Sequence, residues 1–387
     1  MKWIKRIFLS IVVLLGLAVL ALIATGNQQV LYGIGKTYLI GKSKPDIDDL
    51  HYFETRKIPA DQPQPWVKSA QFGQVTPGAN WLARFDSMET TALLVIHRDS
   101  LLFEGYYRDG SDTLRSNSFS MAKSFTAILI GVAVDEGYIT SLDQPVSDFI
   151  PEFAEGKGAV LTIRHLLQMA SGIPFGESYN SPFGFMAKAY YGKNLVEETM
   201  KYRVESEPGT KWAYEGGNTI LLGMILERAT GRTVSQYFFE KIWSCIGAES
   251  AAYWNIDKPG GLEKTYTGVY ATAKDFARIG KLWMGGGVWE NDTLVSPSFV
   301  AESVRPCNIP DENGEPCTWY GLHWWIGSHK GHEMFSCRGL RGQYIICIPS
   351  LELLVVRTGH QQSKERVDHM PTDLFWYTDA AMEMINE

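Results

Sequence analysis

The stretch Ser118-Phe119-Ser120-Met121-Ala122-Lys123-Ser124-Phe125 sets the reading of this chain, because it places a hydroxyl and an amine three residues apart at the head of an apolar run. At helical spacing residues i and i+3 share a face, so Ser120 and Lys123 point the same way. A serine hydroxyl is a weak nucleophile at neutral pH and needs a proton acceptor or a cation beside it; a lysine one turn along serves as either. From Phe125 to Val134 the residues read Phe-Thr-Ala-Ile-Leu-Ile-Gly-Val-Ala-Val, apolar almost all round, which predicts a helix buried on every side. Gly137, after Asp135 and Glu136, suits its stop. Ser120 then stands at the amino end of a buried helix, where the macrodipole and free N–H groups favour negative charge on or near its oxygen. Ser-x-x-Lys also arises by chance, so the rest of the chain decides its meaning.

Three further segments supply that context. Leu161-Thr162-Ile163-Arg164-His165-Leu166-Leu167-Gln168-Met169-Ala170-Ser171-Gly172-Ile173 has an opening Thr, apolar residues at helical spacing and a Gly near its stop. Pro208-Gly209-Thr210-Lys211-Trp212-Ala213-Tyr214 is a turn leading through a tyrosine into a second apolar helix, Glu215 to Gly223. Cys337-Arg338-Gly339-Leu340-Arg341-Gly342-Gln343-Tyr344 precedes two strand-like runs, Ile345 to Ile348 and Leu353 to Val356. In this order the segments resemble the serine hydrolases of the class C β-lactamase and penicillin-binding-protein family, over roughly residues 76 to 360. Within it, Tyr214 to Gly223, Thr272 to Gly280, Gly339 to Tyr344 and Val355 to Gly359 look nearest to the branch of aminohexanoate-dimer hydrolases and related esterases.

The resemblance implies that Ser120 is the acylated nucleophile, Lys123 its proton acceptor and Tyr214 the phenol that carries the proton to the leaving group. It builds an oxyanion hole from the backbone N–H groups of Ser120 and Leu340, with Gly339 letting the strand come close to a bound carbonyl. Gly216, Asn218, Arg338, Gly339 and Gln343 become the implied substrate contacts. Two of these positions depart from the β-lactamase pattern. Gly216 stands where Asn is usual, with Asn218 two residues further on. Cys337-Arg338-Gly339 replaces the Lys-Thr-Gly that binds a penicillin carboxylate, leaving Arg338 or Arg341 to supply a cation. Efficient antibiotic hydrolysis is therefore not expected. The implied activity is acyl transfer from a small ester or amide to water; a β-lactamase or peptidoglycan D,D-carboxypeptidase, and a non-catalytic binding or sensor protein, are the alternatives.

Composition agrees with an enzyme. Apolar residues make up 45% of the 387, enough for a large core, and the formal net charge of −7 leaves no basic stripe for nucleic acid. No Gly-x-Ser-x-Gly elbow occurs, and Gly35-Lys36-Thr37 and Gly41-Lys42-Ser43 lack the glycine spacing of a phosphate loop. The histidines show no metal spacing, so neither metal nor cofactor is expected; His165, on an apolar stripe, reads as a hydrogen-bonded core residue. Trp324-Trp325 reads first as core and second as cleft lining. Of five cysteines, Cys307 and Cys317 bracket a Pro- and Gly-containing loop and are the first pair expected to form a disulfide.

The chain opens on a basic Met1-Lys2-Trp3-Ile4-Lys5-Arg6, followed by eighteen uncharged residues from Ile7 to Ala24. That length just spans about 30 Å of hydrocarbon, and the flanking cations keep the amino end inside the cytoplasm. Residues 1–26 are read as a membrane anchor, or a signal segment if cleaved, with the catalytic domain periplasmic or extracellular. Residues 27–77, spaced with prolines, are expected to be an extended connector packing loosely. Residues 78–385 are the hydrolase domain. Its fold class is α+β: an antiparallel sheet flanked by helices (78–136 and 265–385) with an inserted helical subdomain (137–264), the site lying in the cleft between. Ala92 to His97 and Leu101 to Tyr107 are expected to form a hairpin about Arg98-Asp99.

Overall fold

Alternation along Thr90–His97 sends Leu93 and Val95 to one face of a sheet and Leu94 and Ile96 to the other, and all four are buried. The computed structural model, which describes residues 1–386, builds on that strand. Six antiparallel strands lie in the order Ser100–Tyr106, Thr90–His97, Leu353–Gly359, Gln343–Ile348, His332–Gly339, Trp325–His329. The early hairpin thus closes against the late strand, with Val95 opposite Val355. Arg98 and Asp99 take φ of 47° and 60°, the left-handed pair that a two-residue hairpin turn requires.

Helices cover both faces. Ala79–Ser87 and Thr372–Met384 close one, burying Phe85, Leu374 and Tyr377 against Val95 and Val355. Ala273–Met284 and the helix Met121–Asp135 close the other with Phe276, Ala277 and Phe125. Gly280 lets the Ala273–Met284 helix lie this close, because a Cβ there would come within 2.4 Å of Leu354 and 2.8 Å of Ile345. Between Asp135 and Ala252 the chain is helical and irregular. Its longest helix, Gly216–Thr230, is buried from Gly216 through Leu226 and packs on the Met121–Asp135 helix. The architecture is α+β, as expected.

A second, four-stranded sheet orders Thr55–Ile58, Ala252–Asn255, Val269–Ala271 and Ser116–Asn117. It fixes the backbone that leads into Ser120: Ser118 N donates to the Val269 carbonyl at 2.7 Å, and Val269 N donates back to Ser118 Oγ at 3.1 Å.

Two expectations need correction. Residues 27–77 are not a loosely packed connector. They hold a helix, Gln29–Lys36, and the strand Thr55–Ile58, which pairs in register with Ala252–Asn255 nearly two hundred residues later. Asp46 accepts from Arg341 and His360, each at 2.8 Å, so this segment also grips the late hairpin. Nor do Cys307 and Cys317 form a disulfide. All five cysteines are free, and the Cys307 thiol turns toward the Cys317 carbonyl oxygen, 3.7 Å away, within a short backbone ladder that already joins the two segments. At the amino end, Lys2–Ala24 is one helix of 23 residues with none buried, long and apolar enough to cross a membrane.

Candidate active site

The chain reaches Ser120 through a strained residue. Phe119, immediately before Ser120, has φ of 44°, costly for an aromatic side chain and worth of order 1–3 kcal/mol. It is held there by Asn117, whose Oδ1 accepts from Phe119 N at 2.9 Å. Ser120 then starts the helix, and one turn on Lys123 reaches back so that Nζ donates to Ser120 Oγ at 3.0 Å. The same Nζ donates to the Tyr266 carbonyl at 3.1 Å. Lys123 is buried, and among the described residues no carboxylate lies within ion-pair distance of it.

Tyr214 comes to this pair from the turn before the Gly216–Thr230 helix. Backbone bonds fix the turn: Trp212 N donates to the Pro310 carbonyl at 2.7 Å and Ala213 N to that of Met169 at 2.8 Å. The Tyr214 ring centre lies 4.8 Å from Lys123 Nζ. Around it stand Trp325 and Tyr320, at centroid distances of 5.4 Å and 6.0 Å. Ser120, Tyr214, Trp325, Arg338 and Leu340 line one cavity of about 330 Å³.

Gly339 brings the late strand to the backbone beside Ser120. A Cβ on it would sit 2.2 Å from the Ser118 carbonyl oxygen, so only glycine permits the approach. The backbone N–H groups of Ser120 and Leu340 donate to no acceptor among the described residues. Two unengaged donors beside a nucleophile suit the oxygen of a tetrahedral intermediate, which needs preorganised N–H groups and no reorientation.

Arg338 also faces this cavity, its guanidinium 3.7 Å from the Trp325 ring centre and Nη1 donating to the His369 carbonyl at 3.2 Å. Burial holds its pKa down to about 10. The remaining implied contacts lie elsewhere. Gln343 is wholly buried behind the hairpin, donating to the Leu340 and Gly359 carbonyls at 3.1 Å and 2.7 Å and accepting from Gly359 N at 3.1 Å. It fixes the loop that carries Leu340. Asn218 is buried on its helix with Nδ2 3.5 Å from the Met169 sulfur, away from either cavity at Ser120. Gly216 donates its N–H to Glu177 Oε2 at 2.6 Å and supports the loop opposite. Arg341 pairs with Asp46 and does not line the cavity.

Other residues of the site were not expected from the sequence. His323 is buried beneath the Met121–Asp135 helix, with Nε2 2.9 Å from Thr219 Oγ1, and burial above all holds its pKa down to about 3. Its carbonyl accepts from Ser124 Oγ at 2.6 Å. Phe119 and Tyr266 carry no local signal: one matters through its backbone angle, the other through its carbonyl. Of the tryptophan pair, Trp325 lines the cavity and Trp324 is core, stacked on Trp283 at 5.1 Å. His165 completes a capping box with Thr162, accepting from Thr162 N at 3.2 Å, a structural use.

Comparison with known proteins fits this geometry. The family model described as Beta-lactamase matches residues 79–374. The 6-aminohexanoate-dimer hydrolase of Paenarthrobacter ureafaciens is 27% identical over 322 residues, covering 78% of this chain and 80% of that protein. Among solved structures, a Bacillus anthracis protein provisionally assigned as a 6-aminohexanoate-dimer hydrolase superposes with a TM-score of 0.72 at 20% identity, covering 87% of this chain and 92% of that one. A family VIII carboxylesterase gives 0.63 at 20% identity, over 83% and 99%. At such identities the structures speak for the fold alone. The family match, however, spans the helix of Ser120 and Lys123, the turn of Tyr214 and the strand end of Leu340. By that match the chain belongs to the beta-lactamase family of serine hydrolases, whose members include amidases and esterases.

Proposed function

We propose that this protein is a membrane-tethered serine hydrolase that forms an acyl-enzyme on Ser120 and hydrolyses ester or amide substrates, with its catalytic domain outside the cytoplasm. The observation that carries the reading is the 3.0 Å contact between Lys123 Nζ and Ser120 Oγ beside two unengaged N–H groups. In the first step the Ser120 oxygen bonds the substrate carbonyl carbon while its proton passes to the Lys123 amine. The N–H groups of Ser120 and Leu340 hold the oxyanion. As the bond to the leaving group breaks, Tyr214 delivers a proton to the departing oxygen or nitrogen and is recharged from Lys123. Water then attacks the acyl carbon by the same route in reverse, releasing the acid and restoring Ser120.

Arg338 supplies a buried cation on the Tyr214 side of the site, suited to a polar or anionic leaving group. The apolar helix Lys2–Ala24 supports the tether. Intact mass after a fluorophosphonate tests the reading: the adduct is expected on the peptide containing Ser120. No adduct on folded protein, or one elsewhere, removes the assignment. Turnover of nitrophenyl esters and linear amides against nitrocefin then separates an esterase or amidase from a β-lactamase.

A further inference from the structure

Ser120 borders two cavities of unlike chemistry. The one already described holds Tyr214, Trp325 and Arg338. The second, of about 600 Å³, shares only Ser120, Tyr179 and Leu340 with it. Its wall is predominantly apolar, with Val30, Gly33 and Ile34 of the Gln29–Lys36 helix facing Pro182, Met186 and Ala187. Those two sides are packed together at the Gly33 backbone, where a Cβ would lie 3.3 Å from the Tyr191 ring.

Two arguments say what the second cavity takes. The first is chemical and rests on the proposed roles of Ser120 and Tyr214. A leaving group must meet the phenol that protonates it, and Tyr214 lines only the first cavity. The acyl part of the substrate therefore extends into the second. The second argument is one of place. The Gln29–Lys36 helix begins after a four-residue turn from Ala24, the last residue of the membrane-spanning helix. Around it stand large exposed apolar side chains: Tyr38 is 67% exposed, Leu39 78% and, beside Pro182, Phe183 55%, with the cation Lys44 at the cavity's rim. Large exposed apolar side chains next to a span lie in the headgroup and acyl boundary of a bilayer.

We infer that the second cavity receives the hydrocarbon chain of a long-chain acyl ester drawn from the adjacent bilayer, so that the substrate is a membrane lipid. The lipid ester C–O bond breaks as the Ser120 Oγ–acyl bond forms, the alcohol leaves past Tyr214 with the proton, and water releases the fatty acid. Burying each methylene favours the bound transition state by about 4-fold, which sets the selectivity expected along a chain-length series.

The test uses the full chain in detergent or lipid vesicles. With nitrophenyl esters from acetyl upward, kcat/KM is expected to rise by up to about 4-fold per methylene until the cavity is filled, giving an octanoyl-to-acetyl ratio of at least about 100. Val30→Trp fills the cavity from one wall and Ala187→Trp from the other; each is expected to cut that ratio about 10-fold or more, and either variant suffices if the other misfolds. Phosphatidylethanolamine vesicles are expected to release free fatty acid with wild type and not with Ser120→Ala. A flat or falling chain-length profile, with Ser120 still labelled by fluorophosphonate, overturns the lipid inference and leaves the hydrolase standing. A rising profile with no fatty acid released from vesicles overturns the bilayer source. No labelling and no turnover of any ester overturns the hydrolase reading beneath both.

Discussion

The two cavities that meet at Ser120 are made from different parts of the chain. The side holding Tyr214, Trp325 and Arg338 lies wholly within residues 79–374, the span matched by the family model. The other side borrows much of its wall from residues 29–45, which precede that span. The proposed chemistry thus sits on buried elements locked by backbone bonds, and the second cavity's wall on a half-exposed segment that follows the apolar helix Lys2–Ala24. The difference supports a proposed division of labour: changes on the first side are expected to alter rate for every substrate, and changes on the second to alter which substrate is chosen.

Removing Ser120, the proposed nucleophile, is expected to give the largest effect. Ser120→Ala is expected to lower kcat by about 10⁴-fold or more for short and long acyl chains alike, measured by ester hydrolysis. Residual turnover within 100-fold of wild type would place the nucleophile elsewhere and dissolve the comparison. Next come the proposed proton carriers. Lys123→Ala and Tyr214→Phe are each expected to cost about 10²-fold or more. For Tyr214→Phe the loss falls harder on an amide than on a nitrophenyl ester, since an amine cannot leave unprotonated and nitrophenolate can. Equal losses on both would deny Tyr214 contact with the leaving group, and with it the assignment of the two cavities.

Gly339→Ala acts through the backbone. Its Cβ cannot remain 2.2 Å from the Ser118 oxygen, so the strand end shifts and takes the Leu340 N–H off the oxyanion. A fall in kcat of about 10²-fold is expected with KM little changed, the pattern of a contact made only in the transition state. A KM effect alone would say that Leu340 N–H binds substrate rather than oxyanion.

How much of this was legible depended on whether the determinant was local. The Ser-x-x-Lys spacing, the apolar run behind it, the hairpin at Arg98-Asp99 and the glycine before Leu340 are each decided within a few residues, and each could be read. The strand Thr55–Ile58 could not, because its partner Ala252–Asn255 is remote and proline spacing nearby suggests an open chain. Asn218 and Gln343 stand where the family resemblance implies substrate contact; which way each side chain faces is settled by Met169 and by the Gly359 backbone, packed against them from other segments. Likewise nothing adjacent separates Arg338 from Arg341. The first is chosen by Trp325 and the second by Asp46.

The smallest effects expected are in stability, and they divide along the same line as the cavities. His323, on the Tyr214 side, is held down to about 3 in the folded protein against 6.5 for a free histidine. Between those values the unfolded chain binds a proton that the folded one does not, so this group's contribution favours unfolding as pH falls below about 6.5. Lys264, whose ammonium lies 5.5 Å from the ring of the cavity residue Tyr190, is held down to about 7 by burial and then by the Lys36 charge. Its penalty is full at neutral pH and below, and fades as pH rises from about 7 to 10.5. Each slope is at most about 1.4 kcal/mol per pH unit. Glu227, raised to about 7 by burial, works against the histidine between that pH and its ordinary range, so the wild-type curve alone does not isolate either group. Differences do. In urea titrations across pH, His323→Gln is expected to flatten only the acid limb relative to wild type, and Lys264→Met only the alkaline limb. A variant that moves both limbs would mean that the two sides of Ser120 unfold as one coupled network, and the division of labour drawn from their separate walls would have to be given up.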